Sequence, residues 1–171
     1  MNPSVIKKVT CHAVSAPVER PFTSSRGWLY KQRGSCIVEI ETADGIVGWG
    51  ECYGPSAVAK AYIETQFGPR ILGRDAFDVE VIWEDLYNRI KDYGGKGMAS
   101  SALSGIDIAL WDIIGKACGR PVHKLIGGAH RTEVTAYATG LYFIDMDRLV
   151  EEAVEEAQGY VEEGFTAIKM K

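Results

Sequence analysis

The chain has 171 residues, 46% of them hydrophobic and 25% charged, enough to bury a real core in one compact domain or one and a half. A formal charge of −4 and a pI near 5.4, with lysines and arginines scattered rather than striped, leave no basic surface to follow a phosphate backbone, so no nucleic-acid partner is expected. No apolar run reads as long enough to span a bilayer, and Met1 to Thr10 lacks the charged, apolar and small-residue order of a secretion signal; no membrane partner and a cytoplasmic location are the expectation.

Ile6 to Ala16, Ser35 to Thr42 and Ile46 to Cys52 are β-prone, and the last two are joined by Ala43-Asp44-Gly45, where Asp-Gly favours a tight hairpin. This pattern predicts an antiparallel meander. Between the first two strands, Pro17 to Gly34 is too long for a hairpin turn and reads as a loop that carries Phe22, Trp28 and Tyr30. Loops of that length inside a compact domain are usually functional or disordered. Cys11, Cys36, Cys52 and Cys118 form no C-x-x-C pair and have no histidine at zinc-finger spacing, so they read as reduced thiols, some of them buried.

From Ala57 the period lengthens. Val81, Ile82, Leu86 and Ile90 recur at helical spacing, as do Leu103, Ile106, Leu110, Ile113, Ile114 and Ala117. The second run stops at Gly119, suited to a left-handed cap, and Pro121 cannot continue it. A helical layer over the small sheet follows.

Val134 to Ala138 then reads as a strand, Asp147 to Glu163 as a helix and Thr166 to Lys171 as a strand, a strand-helix-strand unit. In its helix Leu149, Val150, Ala153, Val154, Ala157, Tyr160 and Val161 form one apolar stripe. Glu151, Glu152, Glu155, Glu156, Glu162 and Glu163 avoid it, which reads as a solvated outer face and not a metal site. Asp145 is placed to cap the helix and Gly164 to stop it. Parallel sheets are almost always covered on both faces, so one crossover helix leaves this unit in need of more sheet, expected on residues beyond these 171.

Three segments carry a resemblance. Asp44-Gly45-Ile46-Val47-Gly48-Trp49-Gly50-Glu51 resembles a D-G-x-x-G-x-G-E hairpin. Ala102-Leu103-Ser104-Gly105-Ile106-Asp107-Ile108-Ala109-Leu110-Trp111-Asp112, followed by Gly119-Arg120-Pro121 and Leu125-Ile126-Gly127-Gly128, is the most specific of the three. Lys169-Met170-Lys171 looks like a K-x-K strand end and gains its weight from its place after the other two. In this order they are similar to the mandelate racemase and muconate lactonizing branch of the enolase superfamily. With Ala136-Tyr137-Ala138-Thr139-Gly140, the resemblance is nearest to members that act on sugar acids, of the galactarolactone cycloisomerase type.

The resemblance implies an α+β fold: a capping domain over 1–128, a three-stranded antiparallel meander with a helical layer, then the first strands of a modified (β/α) barrel over 129–171. It implies that Lys171 abstracts the proton α to a substrate carboxylate, while Lys169 lowers its pKa and helps to neutralise that carboxylate. The physics agrees: residues two apart share a strand face, and a close like charge disfavours a second ammonium. The resulting enediolate is held in the family by magnesium, whose acidic ligands lie on the next three barrel strands. The 171 residues alone, without those strands, are therefore expected to be inactive and to need the remainder of the barrel.

The family uses the first long loop as a lid, so Phe22, Trp28 and Tyr30 are candidate substrate contacts, with packing under a loop as the plain alternative. Tyr53 and Tyr142 are candidates of the same kind. Glu51, Asp107 and Asp112 read as structural, and His12, His123 and His130 stand at no ligand spacing. The expected partner is a small carboxylate, and a homo-oligomer is expected. The outcome stays open between dehydration, racemisation and cycloisomerisation, with a muconate-type cycloisomerase or an amino-acid-derivative epimerase as a second enzymatic reading. A non-catalytic capping fragment with a binding or structural role is the reading from another class.

Overall fold

Apolar residues at alternate positions turn into a sheet with one buried face. A computed structural model describes residues 4–170. Strands β1 (Ile6–Phe22), β2 (Tyr30–Thr42) and β3 (Val47–Cys52) lie in the order β1-β2-β3, an antiparallel meander. Cys36 stands opposite Cys52, Val38 opposite Gly50 and Ile40 opposite Gly48, and all six are buried. The predicted Asp-Gly hairpin joins β2 to β3: Gly45 has φ 88°, and the buried Thr42 hydroxyl bonds Asp44 Oδ1 and accepts the Ile46 N–H at 3.1 Å.

Helices cover this face. Helix α1 (Ser56–Tyr62) runs through a π-helical turn, Ile63–Phe67, into α2 (Gly68–Ile71); α3 (Val79–Ile90), α4 (Met98–Cys118) and α5 (Val122–Leu125) follow. Helix α4 lies on β3 so closely that a Cβ on Gly48 would strike the Ala109 carbonyl oxygen, and one on Gly50 the Gly105 carbonyl oxygen. It ends at Gly119 in the left-handed conformation, as its sequence predicts. In length and composition α4 is apolar enough to cross a bilayer, contrary to the reading of the sequence; here ten of its residues are buried and its apolar side faces the sheet and α3.

The chain divides into two compact units, Met1–Ser15 with Gly34–Ala129, and Ala16–Arg33 with His130–Lys171. In the second, β4 (Ala138–Gly140) pairs in parallel with β5 (Ile168–Met170), and a 3₁₀ turn, Met146–Arg148, leads into the crossover helix α6 (Leu149–Glu162). Asp145 caps as expected, its carboxylate accepting the Asp147 N–H at 2.9 Å.

Three expectations give way. The loop expected over Pro17 to Gly34 is mostly strand, since β1 continues to Phe22 and β2 starts at Tyr30. None of residues 17–22 of β1 is buried, so no alternation carries the strand past Ala16, and Pro17 and Pro21 are tolerated because β1 is an edge strand. The strand expected over Val134 to Ala138 starts only at Ala138, because its ladder holds just three pairs, Ala138 with Ile168, Thr139 with Lys169 and Gly140 with Met170. In α3 it is Val79, not Val81, that joins Ile82, Leu86 and Ile90 in the core, and Ala117 is exposed in the last turn of α4.

Candidate functional site

Parallel pairing of β4 and β5 brings both strands to the same edge with their C-terminal ends together. Lys169 sits there, opposite Thr139, exposed; Lys171, the expected base, lies outside the described residues. Across from it the chain leaves β4 through Leu141, which has a positive φ of 57° although it is not glycine. A carboxylate holds this turn: Glu156 Oε2 accepts the Leu141 N–H at 3.1 Å, and Glu156 Oε1 accepts the Tyr160 hydroxyl at 2.6 Å. That hydrogen bond, with partial burial, pushes the Tyr160 phenol up to about 12. Gly140 is glycine for a reason of space, since a Cβ there would run into Tyr160 Oη and Glu156 Oε1.

One turn earlier on α6, Glu152 does similar work. Its Oε2 accepts the Asp145 N–H at 3.2 Å, and its Oε1 accepts from Arg20 at 3.3 Å. Glu152 and Glu156 are therefore not part of the solvated face to which the helical period assigns them; they point back at the β4–α6 connection. Backbone N–H groups that no ladder satisfies need acceptors, and two glutamates supply them. The sequence held one faint signal, the i,i+4 spacing of Glu156 and Tyr160.

Residues after Leu141 meet the far end of the β1–β2 arm. Thr23 and Phe143 exchange two backbone hydrogen bonds, 2.8 and 2.9 Å, and the Phe22 ring lies 4.6 Å from Tyr142 and stacks on Tyr30 at 5.0 Å. The Arg33 guanidinium covers the Phe22 and Tyr30 rings at 4.9 and 5.3 Å, a cation–π arrangement that the sequence did not announce. Phe22, Tyr30 and Tyr142 thus come together. Trp28 instead rides on the turn between β1 and β2, 63% exposed, and Tyr53 belongs to the other unit, just past β3, 90% exposed.

The acidic residues read as structural are tied within the first unit. Asp112 Oδ2 accepts the Trp49 N–H at 2.8 Å and the Lys116 ammonium at 2.7 Å, while Lys116 also donates to the Val47 carbonyl. Glu51 accepts the Ser35 hydroxyl at 2.6 Å. Burial raises the Asp107 carboxyl above its ordinary range.

A meander capped by helices, followed by a parallel strand-helix-strand unit with a lysine at its strand end, is the arrangement of a known class. The model of the mandelate racemase/muconate lactonizing enzyme N-terminal domain matches residues 6–127. The chain belongs to that family, within the enolase superfamily, and its meander and helical layer are the capping domain. It is 42% identical to D-galactarolactone cycloisomerase of Agrobacterium fabrum over 97% of this chain and 43% of the relative. It is also 42% identical to arabinonate dehydratase of Saccharolobus solfataricus, over 90% of this chain and 41% of the relative. A racemase of Streptomyces coelicolor, solved with bound magnesium, superposes with a TM-score of 0.83 at 33% identity, over 97% of this chain and 46% of the racemase. The chain therefore spans about two fifths of the length of these curated relatives.

Among the described residues no group of three or more histidine, cysteine, aspartate or glutamate side chains could hold a metal ion. These residues do not fit a magnesium site.

Proposed function

We propose that the protein carrying this chain abstracts the proton α to the carboxylate of a sugar acid or its lactone, with magnesium as cofactor. The observation that carries this reading is Lys169 at the end of β5, parallel to β4, in a chain whose family relatives include a sugar-lactone cycloisomerase and a sugar-acid dehydratase. In this reading 1–128 caps the site and 129–171 forms the first two strands of a (β/α) barrel, whose active sites gather at the C-terminal strand ends.

Lys171, two residues beyond Lys169, is the base. A charged Lys169 beside it favours its neutral form, which can take the α-proton; Lys169 itself pairs with the substrate carboxylate. Phe22, Tyr30 and Tyr142 offer an aromatic wall for the carbon skeleton, and Trp28 stands on the turn between β1 and β2. Magnesium supplies positive charge at the carboxylate when bound, on ligands other than the described residues. Returning the proton on the other face gives racemisation, expelling the β-hydroxyl with a proton as water gives dehydration, and expelling a lactone's ring oxygen from the β-carbon opens the ring, an isomerisation.

The test is solvent exchange in the full-length protein with magnesium. Wild type is expected to wash deuterium from D₂O into the α-position of D-galactarolactone or arabinonate, and Lys171→Ala to lower that rate by about 10³-fold, the range of general base catalysis. Exchange by the variant at the wild-type rate would refute the role of Lys171.

A further inference from the structure

We infer that Glu156 is a positioning residue for this site: through Leu141 it sets Tyr142 and the anchor of the β1–β2 arm, without touching substrate itself. The inference rests on the reading above that Tyr142 and the arm border the substrate.

Leu141 holds a backbone conformation that residues other than glycine rarely adopt. A non-glycine residue with φ of 57° is strained, and such residues persist only where the surroundings over-determine them. At Leu141 the surroundings are three. Its side chain is among the few buried in this unit, at 7% exposure; its N–H is fixed by Glu156 Oε2; and it follows Gly140, where a Cβ would run into Glu156 Oε1 and Tyr160 Oη. Tyr160 in turn donates to the other Glu156 oxygen, so the carboxylate cannot rotate without breaking a bond.

What the strained turn delivers lies in the next two residues. Leaving β4 in the left-handed conformation changes the direction of the chain, and Tyr142 then meets Phe22 while Phe143 bonds Thr23 through two backbone hydrogen bonds. The arm is thus tied down at Phe22 and Thr23, and only the turn with Trp28 beyond them is free of the ladder. Releasing Leu141 would release wall and anchor together, while Lys169, on β5, keeps its ladder pairing with Thr139. Substrate binding should therefore suffer more than proton abstraction.

The experiment compares wild type, Glu156→Ala, Glu156→Asp and Glu156→Gln in the full-length protein, by kinetics and by amide hydrogen exchange. Glu156→Ala is expected to raise KM about tenfold with kcat within about threefold, a split that marks lost ground-state positioning. Glu156→Gln retains an acceptor for the Leu141 N–H and an amide to meet the Tyr160 oxygen, so it is expected to restore KM. Independently of any activity, exchange in segments 141–146 and 20–24 is expected to rise at least about tenfold in Glu156→Ala and to stay at the wild-type level in Glu156→Gln, as expected for local opening. If the alanine variant does not fold, Glu156→Asp, which keeps the charge but shortens the arm by one methylene, decides by the same exchange measurement. Unchanged exchange in a folded Ala or Asp variant overturns the inference. Faster exchange with no activity in wild type toward any sugar acid would retain the anchoring by Glu156 but overturn its role at this site, and would also refute the proposed function.

Discussion

At the scale of single residues the thiols show what folding adds to a list of cysteines. Cys11, Cys36 and Cys52 are separated in sequence but meet on the buried face of the sheet, with Cys36 opposite Cys52 in the β2–β3 ladder. Burial, and then the neighbouring thiols, push Cys11 and Cys52 up to about 12, and burial raises Cys36 as well. Because the thiolate is the nucleophile, these three should not react with an aromatic disulfide reagent at pH 8 until the protein unfolds, whereas the exposed Cys118 should react at once. Release of more than one equivalent from this chain, still folded, would contradict the burial. The same shifts set a pH limit. Below the ordinary value of 9.0 the thiols are protonated folded or unfolded, and nothing is lost; between 9.0 and about 12 the unfolded chain ionises while the folded one does not. The unfolded state then binds fewer protons, so stability falls as pH rises through this window. A thermal midpoint that held steady from pH 8.5 to 10.5 would count against it.

Between elements, the decisive contact is the approach of α4 to β3, made possible by glycines on both sides. Gly48 and Gly50 face Ala109 and Gly105, and a Cβ on Gly105 would run into Cys52 Sγ. Asp112 and Lys116 then staple the helix to the backbone of β3. Because the atom in the way at Gly50 is a helix carbonyl rather than a flexible side chain, Gly50→Ala should cost about 3 kcal/mol, at the upper end of overpacking. Urea unfolding would measure it; a loss under about 1 kcal/mol would mean that the helix can slide. These residues were legible in the sequence because D-G-x-x-G-x-G-E and the Leu103 to Asp112 run keep both spacing and chemistry. The arm was legible only as far as Ala16; from Pro17 to Gly34 it was not, since strands exposed on both faces carry no alternation. Nor were Glu152 and Glu156, whose partners, Asp145 and Leu141, are backbone amides that no side-chain pattern reports.

For the whole molecule the burial is unevenly shared. Among the described residues, the buried hydrophobic side chains lie in the first unit, apart from Ala138 and Leu141. Helix α6 has an apolar stripe, as its sequence predicts, yet none of its residues is buried, and Val150 and Val161 are 69% and 63% exposed. Hydrophobic burial stabilises by roughly 25 cal/mol per Å² removed from water, so a unit whose buried apolar side chains are one alanine and one leucine must rest largely on its hydrogen bonds and its short ladder. Such a unit opens locally long before the meander and α4 do. For the 171-residue chain expressed by itself, amide exchange in α6 should run at least about a hundredfold faster than in α4, the gap expected between a locally opening segment and a core helix. Limited proteolysis should cut first within 130–137, which has no regular secondary structure, or in α6, and leave 34–129 intact. Protection of α6 equal to that of α4 would mean either that a second copy covers the exposed part of its stripe or that the unit is more stable by itself than its burial suggests. Dilution would then separate the cases: protection that falls with concentration marks association, and protection that persists marks a unit more stable than its burial allows.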